Sequence, residues 1–155
     1  MKIRYLFYML LVSLAFASCQ KNTVSKIPQI SLLYFGPDSI ILNIDTAYLQ
    51  FSIVDGDADL GNDPNGSQKD IYIKDFRFDT GYAGYFFPAI DQTIEDPKKG
   101  IEGKCLFLFT PDILTSRTDS AHIKYGDTTH FAFYIVDRAG HHSDTIITKN
   151  IIMRP

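Results

Sequence analysis

The sequence predicts an all-β fold, an antiparallel β-sandwich of about seven strands in one domain. The first observation is that 16 of the 18 acidic residues are Asp and only two are Glu, because Asp favours turns whereas Glu favours helix interiors. The second is a set of 12 Phe and 9 Tyr with no Trp, since Phe and Tyr are enriched in strands. The third is the pattern of short apolar stretches between turn residues, with no long 3.6-residue period.

Six segments have the period-2 alternation of half-buried strands. Alternate residues of the second segment are apolar from Leu49 to Ile53, and those of the fifth are apolar from Phe131 to Ile135. Side chains two positions apart lie on one face of a strand, so each segment is expected to bury one face. The predicted strands are 29–35, 48–55, 70–79, 103–110, 130–137 and 143–153.

The third predicted strand changes parity along its length. Ile71 and Ile73 belong to one face, whereas Phe76 and Phe78 belong to the other. A β-bulge adds one residue to a strand and reverses the faces beyond it. A bulge near Lys74 is therefore expected.

The N-terminus has the pattern of a bacterial secretory signal. A short basic start is followed by an apolar run over 5–16, two small residues and Cys19. The run is shorter than the roughly 20 residues of a membrane-spanning helix. The pattern resembles the lipobox of bacterial lipoproteins, which implies cleavage after Ser18 and a lipid on the Cys19 thiol. The alternatives are an ordinary signal peptide cut after Ala17 and an uncleaved anchor.

This N-terminus divides the chain into three parts. They are a signal peptide (1–18), a lipidated cysteine with a tether (19–28) and a single domain (29–155). Gln20 rather than Asp follows Cys19, which favours the outer membrane over retention in the inner membrane. The sequence leaves open whether the domain faces the periplasm or the cell surface.

Charge and cysteine content exclude some classes of protein. Loss of Lys2 and Arg4 with the signal peptide leaves 13 basic against 18 acidic residues, a net charge of −5. Such a chain, without a Lys/Arg cluster, has no electrostatic reason to bind nucleic acid. With Cys19 acylated, Cys105 has no intrachain partner, so we expect no disulfide. Cys105 lies in an apolar run and is interpreted as a core residue rather than a nucleophile.

Two further segments resemble bacterial Ig-like domains. Residues 135–143 read I-V-D-R-A-G-H-H-S and are similar to the last hairpin turn of those domains. Residues 51–61 read F-S-I-V-D-G-D-A-D-L-G and resemble the D-G-D-G-D-L-G loop of small Ig-like lipoproteins of the Bacteroidetes type. His141 stands where that family often has Asn, and Ala58 where it often has Gly. The resemblance implies an Ig-like sandwich in the cell envelope and implies no activity.

The candidate functional site in the sequence is a group of carboxylates that could bind a cation. Asp55, Asp57, Asp59 and Asp63 lie within nine positions of a glycine-containing segment. Carboxylates that alternate on such a loop can surround a hard cation such as Ca²⁺ with oxygen atoms. The segment is not an EF-hand, because its glycine is at the seventh rather than the sixth loop position and no Glu stands at the twelfth.

The Ig-like topology adds Asp137 to this group. The second and fifth predicted strands are expected in opposite sheets that face each other. Asp55 and Asp137 share the inward parity of these strands, so both are expected at one end of the core. Partly buried carboxylates this close need a cation or a proton. Three interpretations remain open: a structural Ca²⁺ ion, an ion pair in which Arg138 bridges to Asp55 or Asp59, and a solvated loop.

A second candidate surface is aromatic. If exposed, Tyr82, Tyr85, Phe86 and Phe87 can stack on sugar rings or dock a partner protein. The alternative is that they cover an open end of the core.

The sequence predicts a binding protein rather than an enzyme. It has no G-x-S-x-G, H-E-x-x-H, phosphate-loop or dinucleotide motif. The leading hypothesis is a membrane-anchored envelope lipoprotein whose Ig-like domain binds or scaffolds a protein partner. The alternative is a glycan-binding module of a carbohydrate-uptake or adhesion system.

Overall fold

A computed structural model describes residues 25–61, 68–87, 99–114 and 124–155. These ranges contain ten β-strands and almost no helix, which confirms the predicted all-β fold. The strands are β1 (Gln29–Gly36), β2 (Ser39–Ile41), β3 (Ala47–Asp55), β4 (Ile71–Asp75), β5 (Ala83–Tyr85), β6 (Ile101–Phe109), β7 (Asp127–Thr129), β8 (Phe131–Ile135), β9 (Ile146–Ile147) and β10 (Ile151–Arg154).

The strands form two main sheets and one small sheet. The first main sheet has the order β1-β3-β6, and the second has the order β5-β4-β8-β9. Both are antiparallel throughout. The small sheet, β2-β10-β7, pairs β10 in parallel with β2 and antiparallel with β7. With β3 and β8 in opposite sheets, this is an Ig-like sandwich.

The core lies between the two main sheets. The rings of Phe51 in β3 and Phe133 in β8 are 5.1 Å apart, and those of Phe109 and Phe131 are 4.5 Å apart. All four side chains are buried, and burial of each contributes about 1.5–3 kcal/mol to stability. The inward parity predicted for the second and fifth strands is therefore confirmed.

The predicted bulge in the third strand is wrong. β4 ends at Asp75, and the chain then turns. The Asp75 carboxylate accepts hydrogen bonds from the backbone N–H of Arg77 at 2.9 Å and from its guanidinium at 2.6 Å. This local ion pair closes a turn beyond the strand. Phe76 is exposed and Arg77 is buried there, so the change of parity in the sequence marks the end of β4 and needs no bulge. A bulge does occur elsewhere, in β1 between Leu32 and Tyr34.

The described strands outnumber the predicted ones because several are very short. The predicted strand 143–153 is two strands, β9 and β10, and β9 has only two residues. β2, β5 and β7 have three residues each. Three residues are too few to establish a period of two in the sequence.

Candidate metal centre

The candidate centre lies at the end of the sandwich where β3 and β8 finish. Asp55 is the last residue of β3, and Asp137 follows β8 by two positions. Both residues are fully buried, because they continue the inward alternation of the two strands. The sequence prediction that these two carboxylates meet at one end of the core is confirmed by their positions.

Four carboxylates converge there. Asp55, Asp57, Asp59 and Asp137 each present one oxygen, and the four oxygens lie within 4.8 Å of one another. Calcium–oxygen distances are about 2.3–2.6 Å, so oxygens on opposite sides of the ion are about 5 Å apart. The separation therefore fits a shared Ca²⁺ ion.

Three of the four carboxylates have a buried oxygen that makes no hydrogen bond. The Oδ1 atoms of Asp55, Asp57 and Asp59 are out of contact with solvent and have no partner in the described part of the chain. Asp55 itself is 0% exposed. A buried carboxylate oxygen without a partner is strongly unfavourable, so the arrangement calls for a positive charge.

The other oxygens of these carboxylates accept hydrogen bonds from the loop backbone. Oδ2 of Asp55 accepts from the Asp59 N–H, and Oδ2 of Asp59 accepts from the Ala139 N–H, both at 3.0 Å. Oδ2 of Asp57 is 3.7 Å from the Lys26 ammonium. Each of the three carboxylates thus has an Oδ2 with a neighbour and a buried Oδ1 without a partner among the described residues.

Asp137 is held by the turn that follows it. Its Oδ1 accepts from the His141 N–H at 2.7 Å, and its Oδ2 is 2.8 Å from His141 Nδ1. This hydrogen bond raises the pKa of His141, and the charge of Asp137 acts in the same direction. The Asp137 main-chain oxygen accepts from Gln68 Nε2 at 2.6 Å. These bonds fix the direction of the Asp137 carboxylate.

Burial and the neighbouring charges both raise the pKa values of the cluster. The pKa of Asp55 is raised to about 6, first by burial and then by the charges of the neighbouring aspartates, against the lowering effect of the Asp59 N–H. Burial also raises the pKa of Asp59, followed by the charges of Asp137 and Asp57. In the absence of a cation, the environment of these aspartates therefore favours their protonated form.

Unusual backbone conformations bring the carboxylates together. Ala58 has a φ of 57° and Gly61 a φ of 89°, in the left-handed region that glycine adopts more readily than alanine. Gly100, with a φ of 71°, packs so closely that an added Cβ would lie 2.5 Å from the Asp55 carbonyl oxygen. Gly100 thus supports the site through its close contact with the backbone of Asp55.

Arg138 holds the acidic loop through main-chain oxygens. Its N–H and its Nε both donate to the Asp59 carbonyl, at 3.0 and 3.1 Å, and Nη2 lies 3.5 Å from the Ala58 carbonyl. The guanidinium also lowers the pKa of Asp70, although burial raises that pKa overall. Arg138 therefore ties the two loops together, and the Oδ1 atoms of Asp55, Asp57 and Asp59 still lack a partner within the described residues.

Two predicted site residues fall outside the described ranges. Cys19, the predicted lipidation site, and Asp63, the fifth predicted calcium ligand, both lie among the residues left undescribed.

The four aromatic candidates do not form one surface. Tyr85 packs edge-on against Phe107, with ring centroids 4.8 Å apart, and Phe87 is buried in the core. Tyr82 and Phe86 are exposed, and the Lys69 ammonium lies 3.4 Å from the centre of the Phe86 ring. Tyr85 and Phe87 thus cover the core, while only Tyr82 and Phe86 are available at the surface.

A row of rings on the outer face of the second sheet was not predicted. Tyr134 in β8 stacks on Tyr72 at 5.1 Å and on His142 at 5.3 Å, and Tyr82 meets Tyr134 edge-on at 5.0 Å. Tyr72 and His142 flank β8 on opposite sides, so both faces of Tyr134 are covered. In the sequence, Tyr72 alternates with residues that face inward. This alternation was the signal that could have placed Tyr72 on the outer face.

Comparison with models of known protein families finds no match, and no curated protein matches the chain. Among the described residues, no helix is long and apolar enough to cross a membrane.

Proposed function

We propose that this protein is a lipid-anchored protein of the bacterial cell envelope whose Ig-like domain binds one structural Ca²⁺ ion. The observation that carries the calcium proposal is the convergence of four carboxylates, three of which, those of Asp55, Asp57 and Asp59, have a buried Oδ1 without a hydrogen-bond partner among the described residues. Asp137 supplies the fourth carboxylate. In this proposal Ca²⁺ joins the loop after β3 to the turn after β8 and has no catalytic role.

The donor set favours Ca²⁺ over other metal ions. All four candidate ligands are carboxylate oxygens, which are hard donors that suit Ca²⁺ and Mg²⁺, whereas Zn²⁺ prefers nitrogen and sulfur. Mg²⁺ needs near-ideal octahedral geometry at about 2.0–2.1 Å and keeps several waters. Four carboxylates on irregular loops match the larger and more flexible coordination of Ca²⁺.

Isothermal titration of the full-length protein with CaCl₂ tests this proposal. Asp59→Asn removes one cluster carboxylate, and Asp79→Asn removes an exposed aspartate at a distant turn as the matched control. We expect binding of one Ca²⁺ by the wild type and by Asp79→Asn, and much weaker binding by Asp59→Asn. Equal calcium affinity in all three proteins would exclude the cluster as the site.

The role we propose is binding or scaffolding rather than catalysis. The only free thiol among the described residues, Cys105, packs against the core. Its burial raises the thiol pKa to about 11, so the reactive thiolate is scarce at neutral pH. The cluster carboxylates are enclosed and directed at one another, which suits a structural ion.

The proposed anchor is a lipid on Cys19, and the proposed location is the outer membrane. The support is the lipobox-like N-terminus, followed by Gln20. Metabolic labelling with an alkyne fatty acid tests the anchor. Wild type should carry the label and fractionate with membranes, and Cys19→Ser should do neither; equal labelling of both proteins would contradict the proposal.

The proposed partner is another envelope protein, docked on the outer face of the first sheet. Leu106 and Leu108 of β6 are 56% and 43% exposed, and Tyr48, the β3 residue that pairs with Leu108, is 42% exposed. Adjacent exposed apolar side chains are typical of protein interaction sites. Photo-crosslinking from position 106 in intact cells should capture one protein, and Leu108→Lys should prevent its capture. Unchanged capture by Leu108→Lys would exclude this face.

The alternative is a glycan-binding module, and exposed Tyr82 is the observation that favours it. Sugars stack on the open faces of aromatic rings, and both faces of Tyr134 are covered by its neighbours. In this alternative, Tyr82 supplies the stacking ring. A glycan array probed with wild type and Tyr82→Ala should show a signal that the variant loses if this alternative is correct.

A further inference from the structure

The segment that leads to the proposed anchor enters the domain beside the acidic cluster. β1 runs antiparallel to β3, with Gln29 opposite Val54, so the chain that precedes β1 passes the loop that follows β3. The Gly56 N–H donates to the Ser25 carbonyl at 2.8 Å. Gly56 lies between the cluster residues Asp55 and Asp57. The cluster and the start of the tether are therefore joined by a backbone hydrogen bond.

Within the described ranges, few other interactions attach this end of the tether to the domain. The side chain of Lys26 is 75% exposed, and Ile27 is 51% exposed. The Lys26 ammonium is 3.7 Å from Asp57, but exposed ion pairs contribute little to stability. The first strongly buried residue is Pro28. Attachment of residues 25–27 thus depends on the conformation of the loop that contains Gly56.

The conformation of that loop depends in turn on the cluster. Asp55 and Asp57 each direct an unpartnered Oδ1 inward, so a bound cation fixes the residues on both sides of Gly56. Without a cation, like charges within 4.8 Å of one another repel. Repulsion favours an opened loop, in which the Gly56 N–H no longer points at Ser25.

We infer that Ca²⁺ at the Asp55–Asp57–Asp59–Asp137 cluster regulates the tether: the ion holds residues 25–27 against the domain, and its loss releases them. This inference rests on the proposed calcium site. Ser25 is six positions after Cys19, a span of at most about 20 Å. With Ca²⁺ bound, the acidic end is held at about that distance from the lipidated cysteine. Without it, residues 25–27 extend the reach by about 3.3–3.6 Å each.

Trypsin cleavage at the Lys26–Ile27 bond reports release of the tether. The full-length protein in detergent is digested briefly, with Ca²⁺ or in metal-free buffer, and the fragment that begins at Ile27 is quantified by mass spectrometry. If cleavage requires loss of the ion, its rate falls by the factor 1 + [Ca²⁺]/Kd, about a hundredfold at a hundred times Kd. Cleavage after Lys149, an exposed lysine away from the cluster, is the internal control.

Two variants separate the role of the ion from direct contact with the tether. Asp59→Asn removes a ligand that has no described contact with residues 25–28, and we expect it to abolish calcium protection at Lys26. Asp79→Asn should retain full protection. Hydrogen exchange of the Gly56 amide should slow with Ca²⁺ in the wild type and in Asp79→Asn only.

The outcomes distinguish this inference from the calcium proposal itself. Protection at Lys26 that exceeds protection at Lys149 and is lost in Asp59→Asn supports the inference. If titration shows that Ca²⁺ binds but Lys26 is cleaved equally with and without it, the inference is overturned and the calcium site stands. Equal protection at Lys26 and Lys149 reports global stabilisation and also overturns it. Absence of calcium binding overturns both.

Discussion

Replacing Asp55 by Asn removes one negative charge from the cluster and preserves the shape of the side chain. The asparagine carbonyl can still accept the hydrogen bond from the Asp59 N–H, which measures 3.0 Å with aspartate. The new amide can donate to Asp57 or Asp59, whose Oδ1 atoms have no partner within the described residues. We therefore expect Asp55→Asn to stabilise the calcium-free protein and to abolish its stabilisation by Ca²⁺.

The expected magnitude follows from the pKa of Asp55, which burial raises from 3.8 to about 6. The folded state then binds the proton more tightly than the unfolded state, so stability is highest below pH 3.8 and falls as the pH rises to about 6. At about 1.36 kcal/mol per pKa unit, the loss at neutral pH is about 3 kcal/mol. Asparagine has no charge and avoids this loss, but its carbonyl accepts a weaker hydrogen bond from the Asp59 N–H than a carboxylate does. We therefore expect the free energy of unfolding to rise by about 2 kcal/mol at neutral pH.

Thermal unfolding of the full-length protein, followed by circular dichroism at pH 7.5, measures this gain. The Tm of a domain of this size changes by about 3 °C per kcal/mol, so Asp55→Asn should melt about 6 °C higher in metal-free buffer. Ca²⁺ at a hundred times Kd should stabilise the wild type by about 2.7 kcal/mol, or about 8 °C, and leave the variant unchanged. At pH 4.5 in metal-free buffer, the difference between the two proteins should shrink.

A lower Tm for Asp55→Asn in metal-free buffer, together with an undiminished calcium response, would refute this reasoning. It would show that the Asp55 charge is compensated within the protein and is not a ligand. Asp79→Asn, which removes an exposed charge outside the cluster, should match the wild type under every condition.

Other substitutions test the backbone and the core, each by thermal unfolding. Ala58→Gly should stabilise the protein by about 1 kcal/mol, because glycine adopts the φ of 57° without strain; a lower Tm would contradict this. Gly100→Ala should cost more than Gly140→Ala, since both have positive φ but only at Gly100 would the new Cβ meet backbone, 2.5 Å from the Asp55 carbonyl oxygen. Equal losses would show that the close contact is irrelevant. Phe51→Ala should cost about 3–5 kcal/mol through the cavity it leaves in the core, and a loss below 1 kcal/mol would place Phe51 outside the core.

The sequence alone predicted the main strands and the meeting of Asp55 and Asp137. Alternation is local, because the faces of a strand repeat every two residues whatever the rest of the chain does. Once apolar residues identify the buried face of β3 and β8, the parity of the next aspartate follows. The Ig-like resemblance then placed the two strand ends at the same end of the core, and the structure agrees.

The tertiary structure decided what depends on contacts distant in sequence. The turn after Asp75 contains its ion pair with Arg77 and ends β4 at a point where the sequence pattern was compatible with a bulge. An ion pair of Arg138 with a carboxylate was one of three interpretations that the sequence left open, and the structure adds hydrogen bonds from Arg138 to main-chain oxygens of the opposite loop. The division of the aromatic group into core and surface residues likewise depends on the neighbouring sheet.

The attachment of the tether to the domain also could not be predicted from the sequence. The bond between Gly56 and Ser25 joins residues 31 positions apart, and a composition that is polar before β1 indicated only a linker. Period and composition describe a chain and its nearest neighbours. The partners of a carboxylate oxygen, an arginine or a backbone amide are set by packing, loop dihedral angles and charge, which exist only once the two sheets have closed on each other.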